Sequence, residues 1–147
     1  MAKQATAFFS KAEEILIMDA IRQAEKNTSG EIRLHVENKC KGDVLDRAAI
    51  VFDLLKMQKT ELRNGVLFYL AIRDKKFAII GDAGINAKVA DDFWDQIKSM
   101  MLDKFKMGEF AEGVAEGIQK AGEQLQEHFK YMDDDINELS DEISYGK

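Results

Sequence analysis

The 147-residue chain has no proline, one cysteine, two histidines and one tryptophan. One cysteine cannot close a disulfide within the chain, so nothing implies an oxidising compartment. Two histidines and a single thiol leave too few soft donors for an ordinary zinc site. Long apolar runs are also missing. The longest is Val66 to Ile72, far short of the ~20 residues a membrane-spanning helix needs. Met1-Ala2-Lys3-Gln4 opens no apolar secretory core, so a cytoplasmic protein without membrane insertion is expected. A basic excess is lacking as well. The 27 acidic side chains outnumber the 21 basic ones, for a net charge of −6, which argues against nucleic acid as the main partner.

What is present fits one globular domain. The chain is 46% apolar and 33% charged, and its length suits a single core. Its charge is unevenly placed. Residues 131–147 carry Asp133, Asp134, Asp135, Glu138, Asp141 and Glu142 against Lys147, which is −5 of the total and leaves residues 1–130 at −1. The expected organisation is a domain over 1–130 and an acidic extension over 131–147, the latter a short helix with a frayed end.

Periodicity supplies the elements. Ser10 with Glu13 fits a capping box, and Ala12, Ile15, Met18 and Ile21 follow at helical spacing until Thr28-Ser29-Gly30. Glu31 to Glu37 alternates, with Ile32, Leu34 and Val36 on one face and Arg33, His35 and Glu37 on the other, which predicts a half-buried strand. Asp43 caps a second helix carrying Val44, Ala48, Val51 and Leu55. Asn64-Gly65 opens a continuous apolar strand to Ile72, as a centre strand covered on both faces requires. Arg73 to Lys76 turns the chain into Phe77–Ile80. A helix from Ala87 or Ala90 to Met107 is predicted, with Trp94 and Met101 as packing residues. Gly108 follows it as the residue just past the helix end, and a last helix spans Glu109 to Phe129. The order α-β-α-β-β-α-α, with a right-handed crossover, gives an α/β fold: a three-layer α/β/α sandwich with a small mixed sheet.

That topology brings the starts of the two parallel strands and the end of the hairpin strand to one edge. Glu31, Asp82, Asp91 and Asp92 are thereby candidates to converge, together with free carbonyls of the Gly81–Asn86 loop, and hard cations such as calcium take this mixture of oxygens. On spacing alone the alternative stays open that Asp91 and Asp92 only favour a helix N-terminus and Glu31 is a solvated strand end. Other motifs fail. Asp133-x-Asp135-x-Asn137 starts like an EF-hand loop but places Glu138 where glycine is needed and Ser144 where glutamate is needed. Cys40 has Asp46 where a phosphatase loop needs arginine. Gly81-x-x-Gly84 lacks the rest of a phosphate-binding pattern.

Asn64-Gly65-Val66-Leu67, the hairpin Phe68 to Ile80, Gly81-Asp82, Asp91-Asp92-Phe93-Trp94 and then Phe105-Lys106-Met107-Gly108-Glu109-Phe110 with Gly113 and Ile118 resemble a TPM domain over about residues 8–129. That family is named for a thylakoid lumen phosphatase, a photosystem II repair protein and an acetylcholine receptor modulator. The resemblance, to a stand-alone bacterial-type member, implies a Rossmann-like α/β/α sandwich. It also implies binding of a divalent metal, calcium foremost and magnesium second, carried over onto Asp82, Asp91, Asp92 and Glu31. Two functions follow as expectations: a metal-binding module that meets a protein partner, or a metal-dependent acid phosphatase using metal-activated water. Many family members carry a signal peptide and a membrane-spanning or glycine-rich tail; neither is seen here, so a membrane or lumen role does not carry over.

Overall fold

The computed structural model describes residues 8–130 and 142–146. Helix α1 (Lys11–Glu25) starts at the predicted capping box, with the Ser10 side chain accepting from the Glu13 N–H and Glu13 returning a bond to the Ser10 N–H. Strand β1 (Glu31–Glu37) leads to α2 (Val44–Leu54), capped by Asp43, whose carboxylate accepts from the Leu45 and Asp46 N–H groups. Strands β2 (Gly65–Ala71) and β3 (Lys76–Gly81) form the hairpin. A four-residue helix, α3 (Ala83–Asn86), precedes α4 (Phe93–Lys106) and α5 (Phe110–His128), and β4 (Ser144–Tyr145) closes the described chain.

The sheet order is β3-β2-β1-β4, with β1 parallel to both neighbours and β2 antiparallel to β3. Because side chains alternate along β2, each face receives every second residue. Val66, Phe68 and Leu70 meet Ile17, Ile21, Met101, Val114, Ile118 and Leu125 of α1, α4 and α5. Leu67, Tyr69 and Ala71 meet Ala48, Val51 and Phe52 of α2 on the opposite face. The three layers are therefore those expected. Each fully buried large apolar side chain stabilises the fold by ~1.5–3 kcal/mol relative to its exposed state.

Small residues set the spacing between helices. A Cβ on Gly122 would lie 2.5 Å from the Ala24 Cβ, and one on Gly117 would lie 2.6 Å from the Met101 sulfur. These glycines reduce helix propensity but let α5 approach α1 and α4. Gly108, at φ +78°, turns the chain between α4 and α5 as expected.

Three expectations need correction. The second face of β1 is covered: His35 is 6% exposed and Glu37 2%, because the Arg47 side chain reaches Glu37 from α2, Tyr69 of β2 lies beside both, and Ser144 and Gly146 lie against them. The helix expected from Ala87 or Ala90 starts at Phe93, since the preceding chain curls into the separate helical turn α3. The frayed end expected of the tail is instead paired with β1 at Ser144–Tyr145, and the short helix expected before it lies outside the described residues.

Candidate functional site

The register places Glu31 beside Gly65, and Gly81 beside Val66, so the starts of β1 and β2 and the end of β3 do share one sheet edge. Glu31 is 2% exposed and Asp82 6%. Asp82 caps α3 through the Ala83 N–H at 2.7 Å. Its two oxygens also receive Arg63, Nε at 2.7 Å and Nη2 at 2.8 Å, a two-pronged charge-assisted pair. Arg63 sits at φ 52° in the left-handed region, and its side chain is 52% exposed. The nearby Asp82 carboxylate raises its already high pKa further.

The same corner is tied by backbone bonds. The Asp82 N–H donates to the Gly65 carbonyl and the Gly84 N–H to the Arg63 carbonyl. The carbonyls of the segment after β3 are largely used. Gly81 accepts from the Asn86 side chain, Asp82 from the Asn86 N–H, Ala83 from the Ala87 N–H and Ile85 from the Lys88 N–H. The expectation of free carbonyls there is corrected, because the helical turn consumes them. Trp94 adds a further tie, its indole N–H donating to the Asn86 side chain at 2.7 Å.

Asp91 and Asp92 lie in the exposed turn before α4, where Asp92 accepts from Gln96 at 2.8 Å. Glu31 on β1 and Asp82 just after β3 thus share this edge with β2 between them, while Asp91 and Asp92 lie in a separate turn. Among the described residues, no three His, Cys, Asp or Glu side chains are grouped closely enough to hold a metal ion. In kind the donors fit a hard cation, being carboxylate oxygens with a buried member at Asp82. In position Arg63 already supplies the positive charge that Asp82 needs. Two surface clefts, of about 620 Å3 between α1 and α5 and about 550 Å3 beside the hairpin, lie away from these acids.

A second polar cluster sits near the opposite end of β1, and sequence reasoning missed it. Glu37 accepts from Arg47 Nε at 3.0 Å and from Arg47 Nη2, from the Tyr69 hydroxyl, and from His35 Nε2 at 3.0 Å. Burial opposes ionisation of Glu37, but the bonds from Arg47, Tyr69 and His35 outweigh it and hold its carboxyl at about 2. Burial lowers the His35 pKa most; the Glu37 carboxylate pulls it up and Arg47 and Arg33 push it down, and the net shift is downward. Burial and the Glu37 carboxylate together keep Tyr69 protonated. The signal that could have found this cluster was a strand bearing four ionisable residues, Glu31, Arg33, His35 and Glu37, on one face beside a fully apolar partner strand. A carboxylate buried on that face needs a cation beside it, and Arg47 lies one residue before Ala48 on the inner face of α2.

The TPM domain family matches residues 3–124. The BA42 protein of the psychrophilic bacterium Bizionia argentinensis, solved by NMR, is 51% identical over 99% of this chain and 100% of its own, with a TM-score of 0.89. The N-terminal domain of a P. gingivalis protein matches at 18% identity, covering 86% of this chain and 83% of its own, with a TM-score of 0.72. The N-terminal domain of cg2496 from Corynebacterium glutamicum matches at 14% identity, covering 82% and 76%, with a TM-score of 0.65. The last two likenesses show the shared fold alone. No curated protein matches the chain. With most of its length inside the family pattern and half its residues identical to a solved relative of the same fold, the chain belongs to the TPM domain family.

Proposed function

We propose that the chain is a divalent-cation-binding module, preferring calcium over magnesium, that presents its Asp82 edge to a protein partner. Asp82, Asp91, Asp92 and Glu31 are the residues that would hold the ion. One observation carries this reading: Asp82 is a buried carboxylate whose counter-charge comes from Arg63, a half-exposed side chain on a left-handed residue. A buried carboxylate needs a cation. Arg63 is placed to give way to one, since its guanidinium is readily hydrated once released.

The chemistry such an ion would supply is neutralisation of the Asp82 carboxylate in place of the Arg63 guanidinium. The chain's own contribution is to fix Asp82. The α3 turn, the Gly65 carbonyl and the Trp94–Asn86 bond hold the backbone on either side of it. An ion bound only in the folded state stabilises it by mass action.

Thermal melting and amide NMR with calcium, magnesium or chelator test the proposal on wild type and Asp82→Asn. Calcium should raise the wild-type melting point and move the Asp82 and Asp91 amide signals, with Asp82→Asn unresponsive. Calcium leaving both observables of the wild type unchanged would overturn it. The alternative is a metal-dependent acid phosphatase acting on phosphate esters; Lys88, the phosphate-clamp candidate by sequence, is exposed. Equal turnover of phosphate esters by wild type and Asp82→Asn would separate any such activity from this site.

A further inference from the structure

The outer edge of β1 is covered in two unlike ways. Near its start, the Glu25 carboxylate of α1 accepts from the Ile32 N–H at 2.9 Å, which blocks strand pairing there. Near its end, the edge takes a parallel strand, His35 beside Ser144 and Val36 beside Tyr145. Every position from Glu142 to Gly146 meets a specific feature of the domain. The Glu142 carbonyl accepts from Arg33 at 3.5 Å. Ile143 packs against the main core. The Ser144 hydroxyl and His35 Nδ1 lie 2.8 Å apart. The Tyr145 hydroxyl bonds the Glu14 carboxylate. The Gly146 N–H donates to the Val36 carbonyl at 2.8 Å, and a Cβ on Gly146 would lie 2.6 Å from a Glu37 oxygen.

The groups that receive this strand are held by the domain itself. Glu37 is fixed by Arg47 and Tyr69, and it in turn fixes His35, whose ring stacks on Tyr69 at 6.0 Å and 13°. Glu14 stands on α1. The edge is thus a preformed slot one short strand long, with Glu25 setting its limit. Backbone pairing gives such a slot affinity, and the pockets for alternate side chains give it sequence preference.

We propose that this edge is a strand-docking site for the sequence Glu-Ile-Ser-Tyr-Gly, and that a second copy of the chain supplies that strand when the resident one leaves. Exchange of an identical element between copies adds no new contact type, because each strand finds the same slot. The site is independent of the Asp82 edge, so the two proposals stand or fall separately.

The test uses full-length protein and a fluorescein-labelled peptide, Asp-Glu-Ile-Ser-Tyr-Gly-Lys. Gly146→Val removes the resident strand by collision with Glu37 and leaves the slot intact. Tyr145→Ala is the second variant, releasing the strand by loss of the Glu14 bond. Both variants should bind the peptide. Wild type should bind it about tenfold or more weakly, because its own strand competes at high effective concentration. A peptide carrying valine for glycine should not bind. Wild-type chains should also form a dimer on concentration that Gly146→Val does not form. Failure of both folded variants to bind the peptide, equal binding of the valine peptide, or dimerisation untouched by Gly146→Val would each overturn the proposal.

Discussion

Acidification should expose the weight carried by Glu37. This carboxyl is 2% exposed and held at about 2, against the ordinary 4.5 of an unfolded glutamate. The folded state thus prefers the ionised form, so the group's stabilisation is present above the unfolded value and is lost as pH falls through the folded one. A shift of this size corresponds to about 3 kcal/mol at neutral pH, and about 2 kcal/mol of that is gone by pH 3. The assay is urea unfolding of Glu37→Gln against its parent at both pH values, with His35→Gln in both proteins. That background substitution keeps an N–H donor near Glu37 and removes imidazole titration from the comparison. The stability gap should narrow by about 2 kcal/mol from pH 7 to pH 3. A gap that stays constant would show that Glu37 is not held ionised by Arg47 and Tyr69, and the account of this cluster would fail.

Two further substitutions test packing and the corner near Asp82. Gly122→Ala gains about 1 kcal/mol of helix propensity, but its methyl meets Ala24 at 2.5 Å; overpacking of about 1–3 kcal/mol should dominate, and urea unfolding should find a less stable protein. Asn86→Ala removes both the acceptor of the Trp94 indole and the donor to the Gly81 carbonyl, so stability should fall by about 1–3 kcal/mol. Trp94 is the only tryptophan, so intrinsic fluorescence reports the same change directly, as a red shift in the folded protein.

Local rules served well where one interaction decided the outcome. Ser10–Glu13 and Asp43 began their helices as capping chemistry requires, and Val66 to Ile72 read as a centre strand because both of its faces are apolar, the strand itself running Gly65–Ala71. The glycines of α5 were legible as points of close approach, although their partners, Ala24 and Met101, were not. The misreading of β1 has a clear cause. Alternation of apolar and charged residues normally marks one wet face, and here the charged face is satisfied internally by Arg47, a residue from the next helix. A helix start at Phe93 was hidden for a similar reason: α3 is a single turn, stabilised by Asp82 and Asn86 rather than by any apolar periodicity. The pairing of Ser144–Tyr145 with β1 joins residues more than a hundred positions apart, and no local pattern encodes it. For the Asp82 edge, topology placed the starts of β1 and β2 and the end of β3 at one sheet edge, while the part played by Arg63 depends on a left-handed residue that no spacing rule reveals.

The most direct test of the cation-binding claim is the calcium affinity of Arg63→Met relative to wild type, followed through the Asp82 amide signal. If calcium takes the place of the Arg63 guanidinium at Asp82, removing that competitor should tighten calcium binding and leave magnesium the weaker ligand. Equal or weaker calcium binding by Arg63→Met would contradict the claim that Asp82 is the residue on which the ion and Arg63 compete.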